Sequence, residues 1–352
     1  RTLFPHLKAK SYLNHAAISP PSLAVESALA GTARRYAELG VAAFPIYMEQ
    51  RERLRGKLAG LIGSSPEEIG YVANTTSGVI HIASCMRWRK GDRILLTEGE
   101  FPANVTPWMQ AASLHGLSAV FLPSPASGDH WLAALEKELV KGARLVALSA
   151  VQFQTGLRMP LLEAGRLCRK HGALLFVDAI QGCGSVPLNV GEAGIDFLSC
   201  GSHKWLMGLE GCGFLYIRSS RMEQLAPRTA GWLSHQNGLA FLFEGEGHLV
   251  YGRPIKETAG FVEGGAYNAA GFAALEAALD ILLRLGIDSI YSHVNRYIDS
   301  LEHGLEELGF RSARSASAEG RSCSLSLKPP IDCDLVRLAE GWVLKTTELP
   351  PD

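Results

Sequence analysis

Between residues 70 and 217 the sequence alternates short apolar runs with longer segments of helical periodicity. The runs are rich in Val, Leu, Ile and Phe and mostly lack polar alternation, which is typical of strands buried on both faces. Repeated strand–helix units predict an α/β fold whose mostly parallel, seven-stranded sheet is flanked by helices. The predicted strands are 70–73, 93–97, 119–122, 144–149, 174–178, 197–200 and 213–217. The predicted helices between them are 78–88, 104–115, 130–140 and 161–171.

The pattern changes after residue 221. Residues 231–265 carry glycines and aromatic residues without a clear period, so we predict a long loop there. Beyond it we predict a smaller α+β C-terminal domain. Its predicted elements are helices at 269–285 and 287–308, a strand at 323–327, a helix at 333–340 and a strand at 342–345.

The chain length of 352 residues favours two domains over one ordinary core. We expect a large domain over residues 15–250. Residues 1–14 and 251–352 form the expected small domain, whose C-terminal end we expect to be incomplete.

Composition excludes several classes of function. The formal net charge is −1, so there is no electrostatic case for nucleic acid or an anionic membrane as the main partner. The seven cysteines are scattered and include no CxxC pair, which favours free thiols in a reducing compartment over disulfides or a zinc site. The sequence shows neither a signal pattern nor an apolar run of membrane length. We therefore expect a cytoplasmic protein without a metal site.

Lys204 stands between a predicted buried strand and a glycine-rich turn. Lysine is seldom buried unless it is paired or functional, and a desolvated lysine has a lowered pKa that suits imine formation with a carbonyl. The alternative is a solvated loop lysine. The preceding strand, the neighbouring His203 and the following glycines disfavour that alternative.

Asp178 ends another apolar strand, and Gln181 follows three residues later. A carboxylate at the end of a buried strand needs a partner. That partner is either the pyridinium N–H of a cofactor or a nearby basic group or helix N-terminus, and Asp178 alone does not decide between them.

Thr75 and Thr76 lie at the start of a predicted helix, directly after the strand at 70–73. Hydroxyls and free N–H groups at a helix start can bind phosphate, although an ordinary helix cap is the alternative. Phe101 follows the strand at 93–97. Its ring could stack on a cofactor, and a core phenylalanine is the alternative.

These features gain weight together because each follows a different strand. In open α/β sheets, ligands bind at the carboxyl ends of the strands. Pyridoxal-phosphate (PLP) enzymes need a Schiff-base lysine, an acidic partner for the pyridine nitrogen and a phosphate cradle. The sequence therefore predicts a PLP enzyme with Lys204 as its Schiff-base residue.

Over most of its length the sequence resembles the class V aminotransferase family, which has fold type I of the PLP enzymes. The most specific segments are VDAIQG at 177–182, SHKW at 202–205 and EGGAYNAAG at 263–271. The segment GWLSH at 231–235 resembles the isopenicillin N epimerase-like and kynureninase-like branches more than the cysteine desulfurases.

The resemblance implies roles for the matching residues. Lys204 would carry the cofactor and move the proton at the substrate α-carbon, while Asp178 would keep the pyridine nitrogen protonated. Gln181 would bond the ring hydroxyl, and Phe101 would stack on the ring. The phosphate ligands would be Thr75, Thr76, Ser202 and His203, joined by Gly265 and Ala266 from the neighbouring subunit of a homodimer with shared active sites.

The sequence also departs from the family pattern. Cysteine desulfurases stack a histidine where this chain has Phe101, and they carry a nucleophilic cysteine where residues 345–350 contain none. Phe153 replaces the family's asparagine near the ring hydroxyl. The arginine that grips the substrate carboxylate would lie beyond residue 352, with Arg158 as a substitute candidate.

We therefore expect a PLP-dependent transferase acting on an amino acid or related amine, with transamination as the first expectation. Epimerisation and C–S or C–C cleavage are the alternatives within the family. A non-catalytic scaffold with the same fold is a further alternative. A nucleotide-binding α/β enzyme is disfavoured, because neither GxGxxG after a strand nor GxxxxGK[ST] occurs.

Overall fold

A computed structural model of the chain describes residues 2–9, 11–125 and 127–330. Its main sheet has seven strands, in agreement with the prediction. They are β1 (Ile69–Val72), β2 (Arg93–Thr97), β3 (Ser118–Leu122), β4 (Leu145–Ser149), β5 (Leu174–Asp178), β6 (Phe197–Gly201) and β7 (Gly213–Ile217).

The strands lie in the order β1-β7-β6-β5-β4-β2-β3. β7 pairs antiparallel with both β1 and β6. All other neighbours are parallel. Six strands therefore run in one direction, and their carboxyl ends share one edge of the sheet. The predicted α/β class with a mostly parallel sheet is confirmed.

Helices surround this sheet. The described α-helices are α1 (Leu23–Leu39), α2 (Phe44–Ile62), α3 (Thr75–Cys85), α4 (Thr106–His115), α5 (Gly128–Leu139), α6 (Leu161–Lys170), α7 (Val190–Ala193), α8 (Ala240–Phe243), α9 (Ala269–Leu285) and α10 (Ile287–Glu307). Apart from α8, the predicted loop at 231–265 contains only short 3-10 turns, as its lack of periodicity indicated.

The core lies on both faces of the sheet, because successive residues of a strand point to opposite sides. On one face, Leu175 of β5 belongs to the same buried cluster as Leu54 of α2 and Trp131 of α5. On the other face, the ring centroid of Phe176 lies 5.1 Å from that of Trp108 on α4. Full burial of each such side chain contributes roughly 1.5–3 kcal/mol.

The sequence patterns did not single out α1 and α2. α1 buries only Val25 and Thr32. α2 buries Arg51 and Arg55 alongside its leucines. Neither helix therefore shows the clean apolar stripe on which recognition from sequence depends.

The predicted strand at 323–327 is wrong except at its last residue. The described strands of this region are β8 (Arg311–Ser312) and β9 (Leu327–Lys328), which pair antiparallel. Before β9, the Ser322 hydroxyl donates to the Gly156 carbonyl at 2.6 Å, and the Ser326 carbonyl accepts a single backbone bond of 2.9 Å from the Ala313 N–H. The predicted helix at 333–340 and strand at 342–345 lie outside the described residues. The domain boundaries stay a prediction.

None of the helices in the described ranges combines the length and apolar character needed to cross a bilayer. These ranges also contain no group of three or more His, Cys, Asp or Glu side chains that could hold a metal ion.

Candidate active site

The predicted site residues gather at the carboxyl edge of the sheet. Asp178 is the last residue of β5, and Lys204 follows β6 by three residues. Thr75 begins α3 shortly after β1, and Phe101 follows β2. Parallel strand direction thus brings together side chains that are far apart in sequence.

Asp178 is almost fully buried, with 2% of its surface exposed. Its Oδ1 accepts a hydrogen bond of 2.9 Å from the backbone N–H of Ile180. Burial raises the pKa of Asp178 to about 7, while this hydrogen bond and the charge of Lys204 oppose the shift. Such a carboxylate is poised to pair with a cationic N–H group that enters the site.

Lys204 lies half-buried in a tight turn beyond β6. Its Nζ is 5.8 Å from the centroid of the Phe101 ring. The turn closes through a 3.0 Å bond from the Met207 N–H to the Lys204 carbonyl. Met207 has a φ of 57°, which is uncommon for a residue other than glycine. Strain of this kind clusters at functional sites.

Phe101 is not a core residue, since 48% of its surface is exposed. Its ring meets Phe153 edge-on, with the ring centroids 5.3 Å apart. An exposed aromatic ring beside a lysine amine offers a face on which a flat ring can stack. Its stacking role itself stays a prediction.

The start of α3 faces the lysine loop. The Asn74 side chain caps the helix by accepting the Ser77 N–H at 2.9 Å, so the ordinary cap is present. Thr75 Oγ1 accepts the Gly201 N–H at 2.9 Å and keeps its own proton for another acceptor. Thr76 is half-buried at the next position. The start of α3 therefore has the hydroxyl groups of Thr75 and Thr76 available for a phosphate, as predicted for these two residues.

Ser202 and His203 differ in what they can offer a phosphate. The fully buried Ser202 donates its hydroxyl proton to the Leu209 carbonyl at 2.6 Å, so its side chain stabilises the turn. His203 is half-buried, and burial together with Lys204 lowers the pKa of its imidazole. A β-carbon built on Gly201 would lie 3.4 Å from Thr75 Oγ1 and 3.5 Å from His203 Cε1, which places these two side chains on one side of the turn.

Gln181 bridges two parts of the chain. Its Nε2 donates to the Ala16 carbonyl at 2.9 Å, and its Oε1 accepts Trp205 Nε1–H at 2.8 Å. The amide therefore fastens the segment at 11–19 to the lysine loop. Its predicted bond to the ring hydroxyl stays a prediction.

The segment predicted to act across a dimer lies beside Trp232. A β-carbon on Gly265 would lie 3.6 Å from Trp232 Nε1, and Ala266 is exposed. Arg158 contacts other groups: its Nη2 donates to the Pro187 carbonyl at 2.9 Å, and its guanidinium carbon lies 5.6 Å from the Tyr291 ring centroid.

The sequence interpretation missed two carboxyl-edge contributors. Glu100 is buried and accepts the Ser149 N–H at 2.7 Å and the Gln152 side chain at 2.9 Å. Burial raises its pKa, and its proximity raises that of Asp178. Ser19 bonds the lysine loop from the N-terminal segment. Glu100 lies shortly after a buried strand, and this position could have marked it as a site residue in the sequence. No local pattern pointed to Ser19.

Few of the described residues could act as a sulfur nucleophile. The six described cysteines are all buried and free: Cys85, Cys168, Cys183, Cys200, Cys212 and Cys323. Burial raises the pKa of Cys212 and of Cys323 to about 12. A buried thiol with a raised pKa is a poor nucleophile. Residues 345–350 lie outside the described residues.

Known proteins resemble the chain over most of its length. The family model of class-V aminotransferases matches residues 27–336. A probable cysteine desulfurase of Methanothermobacter thermautotrophicus is 29% identical over 301 residues, covering 84% of this chain and 72% of the relative. One from Halalkalibacterium halodurans is 30% identical over 308 residues, with the same coverage of both chains.

Two solved structures of C-DES also match, each 26% identical and covering 96% of this chain and 89% of the other. One is a mutant with glycine covalently linked to its PLP cofactor, at a TM-score of 0.86. The other is the cystine C–S lyase in complex with its product cysteine persulfide, at a TM-score of 0.85. The desulfurase names oppose the expected nearness to the epimerase-like and kynureninase-like branches, so that expectation is corrected. The GWLSH segment was too short to separate branches of one family.

Proposed function

Since the chain belongs to the class-V aminotransferase family and pyridoxal phosphate is its cofactor, we propose that it is a C–S lyase for a sulfur-containing amino acid. Cystine is the substrate we favour. The observation that carries the proposal is the burial of all six described cysteines in a chain whose fold matches a cystine C–S lyase. The family relatives fit this lyase alternative better than the transaminase that the sequence first suggested.

The described residues fit the cofactor. Asp178 is a buried carboxylate with a raised pKa, and a pyridinium N–H would supply the charge that it needs. Lys204 would hold the aldehyde carbon covalently, and the exposed face of Phe101 would cover the ring. Thr75, Thr76 and the N-terminus of α3 would hold the phosphate.

When bound, pyridoxal phosphate would stabilise negative charge at the substrate α-carbon, which lowers the cost of removing the α-proton and of losing sulfur from the β-carbon. Lys204 Nζ is the group we assign to moving the α-proton. Lys204 Nζ lies 5.8 Å from the centroid of the Phe101 ring, and a positioned lysine amine can act as a general base.

Cystine suits a site without an exposed described thiol. A desulfurase moves sulfur from cysteine to a protein thiolate, and buried thiols with raised pKa values disfavour that step. With cystine, the leaving group is a persulfide that already belongs to the substrate. Cystine and one water would give pyruvate, ammonia and cysteine persulfide, so no acceptor thiol is needed.

We include a homodimer in the proposal. Ala266 is exposed, as a residue must be if it and Gly265 complete the phosphate site of a second chain. A dimer with shared sites would appear in sedimentation. Complementation between a Lys204→Ala chain and a phosphate-site variant would then restore activity, whereas a monomer would contradict this part of the proposal.

The test measures pyruvate, ammonia and persulfide after addition of cystine to the cofactor-loaded protein. We expect equal amounts of all three products when no 2-oxo acid acceptor is added. Lys204→Ala should lower the rate by about 1,000-fold or more. Lys170→Ala, an exposed matched control, should behave as wild type. Product that forms only with a 2-oxo acid acceptor would establish transamination instead.

Native thiol alkylation separates the lyase from a desulfurase. If no protein thiol takes part, iodoacetamide treatment before assay leaves pyruvate formation from cystine unchanged. Loss of activity after alkylation would identify a nucleophilic cysteine and would contradict the direct elimination.

A further inference from the structure

Ser19 holds two successive carbonyls of the lysine loop. Its N–H donates to the His203 carbonyl at 2.8 Å, and its hydroxyl donates to the Lys204 carbonyl at 2.5 Å. Ser19 itself is 2% exposed, so water does not compete for these bonds. The backbone that presents Lys204 is therefore fixed from outside its own strand, by a segment 185 residues away.

His15 orients this serine. Its Nδ1 lies 2.7 Å from Ser19 Oγ. A hydroxyl has one proton, and that of Ser19 goes to the Lys204 carbonyl, so Nδ1 must be the donor in the second bond. Burial lowers the pKa of His15, which favours the neutral ring. The proton of the neutral ring is then on Nδ1.

The ring of His15 also packs against the lysine loop. It stacks on Trp205 with ring centroids 6.0 Å apart, and Tyr12 meets its edge at 5.5 Å. Trp205 in turn donates to Gln181, which returns to Ala16 of the same segment. Two separate routes thus tie the N-terminal segment to the residue after Lys204.

We propose that His15, acting through Ser19, is a positioning residue for Lys204. The proposal rests on the cofactor-bearing role that we assign to Lys204. Its physical basis is that Ser19 bonds the His203 and Lys204 carbonyls of a turn that contains Met207 at a positive φ, and so adds an external restraint to the bonds within the turn. The donated Nδ1 proton keeps the Ser19 hydroxyl directed at the Lys204 carbonyl, and a displaced lysine would transfer protons more slowly.

The variants separate the hydrogen bond from ring packing. His15→Asn keeps a side-chain N–H near the Nδ1 position but loses the ring, whereas His15→Phe keeps a ring and loses the donor. Ser19→Ala removes the relay, and Ser19→Thr retains a hydroxyl. His303→Asn, at a histidine whose side chain is 79% exposed, is the matched control.

The first readout is the pH midpoint of the visible absorption band of the cofactor-loaded protein, which needs no substrate. We expect His15→Phe and Ser19→Ala to shift this midpoint by at least about half a unit. The same variants should lower kcat on cystine about tenfold with little change in KM. His15→Asn, Ser19→Thr and His303→Asn should stay close to wild type in both measurements.

The opposite order, with His15→Phe near wild type and His15→Asn impaired, would show that the ring matters only for packing and would overturn the proposal. Unchanged midpoints in all variants would overturn it as well. A variant that unfolds is recognised by thermal denaturation without cofactor, and the Ser19 pair then supplies the comparison. Lys204→Ala that keeps the band would instead refute the role of Lys204, which is a distinct result.

Discussion

The amine of Lys204 lies over the ring of Phe101, with 5.8 Å between Nζ and the ring centroid. The two residues follow different strands, and the charge of Lys204 also lowers the pKa of the buried Asp178 carboxylate against the effect of burial. If Asp178 and Lys204 hold the cofactor as we propose, the exposed ring of Phe101 is the described aromatic side chain that would cover it.

Phe101→Ala should weaken cofactor binding by roughly 1–2 kcal/mol, because the ring loses its stacking partner. Stability without cofactor should change by less than about 1 kcal/mol, since Phe101 is half exposed. Fluorescence titration with pyridoxal phosphate measures the first quantity and urea denaturation the second. Phe121→Ala, on an edge strand and 41% exposed, is the matched control. Equal effects of the two substitutions on cofactor binding would show that Phe101 does not contact the cofactor.

Asp178→Asn should stabilise the cofactor-free protein in a pH-dependent way. The folded-state pKa of about 7 lies above the ordinary value of 3.8, so ionisation of Asp178 costs stability as pH rises from about 4 to 7. The amide avoids this loss, and the variant should exceed wild type by roughly 1–3 kcal/mol at pH 8 but not at pH 4. Thermal denaturation at both pH values measures the difference.

Saturating cofactor should reverse that order, because the ionised carboxylate then has a cationic partner and the amide does not. Asp129→Asn, at an exposed position, should show neither effect. A variant whose advantage is the same at pH 4 and pH 8 would show that Asp178 does not titrate in this range.

Glu100→Gln should destabilise the fold by about 2–3 kcal/mol, even though no charge partner is lost. Both Ser149 donors and the Gln152 amide point at the carboxylate, and an amide side chain would direct one N–H group against a donor. Urea denaturation measures the change. Glu98→Gln, two residues earlier and exposed, should alter stability by less than about 0.5 kcal/mol. Similar values for the two would mean that Glu100 is solvated.

Two glycine-to-alanine substitutions in helices should have opposite signs. A β-carbon at Gly165 of α6 would lie 1.7 Å from the Ala193 carbonyl oxygen, so Gly165→Ala should destabilise by more than about 2 kcal/mol. No atom lies within 4 Å of a β-carbon at Gly31 of α1, and Gly31→Ala should stabilise by about 0.5–1 kcal/mol. The denaturation midpoints of the two variants measure both changes in stability. A destabilised Gly31→Ala would show that atoms lie closer to Gly31 of α1 than the structure indicates.

Much of the sheet, and the placement of several candidate site residues at its carboxyl edge, were predictable because their causes are local. The run Leu174–Asp178 is apolar until its final carboxylate, and this single pattern predicts both a buried strand and an acid at its end. The strand Phe197–Gly201 and the following Lys204 are a second such case. Strand direction then brings the two ends to one edge.

Features that depend on distant partners could not be predicted. The phosphate role that the resemblance implied for Ser202 stays a prediction, and the bond from its hydroxyl to the Leu209 carbonyl is visible only in the folded turn. Arg51 and Arg55 obscured the pattern of α2 because their partner, Glu263, lies more than 200 residues away. The hydrogen bond between Ser19 and the Lys204 carbonyl is another feature that joins residues far apart in the sequence.

That link has a consequence for folding in the cell. Residues 15–19 leave the ribosome long before Lys204 is synthesised, and they cannot dock until β5, β6 and the lysine turn exist. A contact across 185 residues must wait until both partners are synthesised and the lysine turn has formed, so it is expected to form late. The segment made early would be among the last to be placed, and capture of the cofactor would follow it as a final step of maturation.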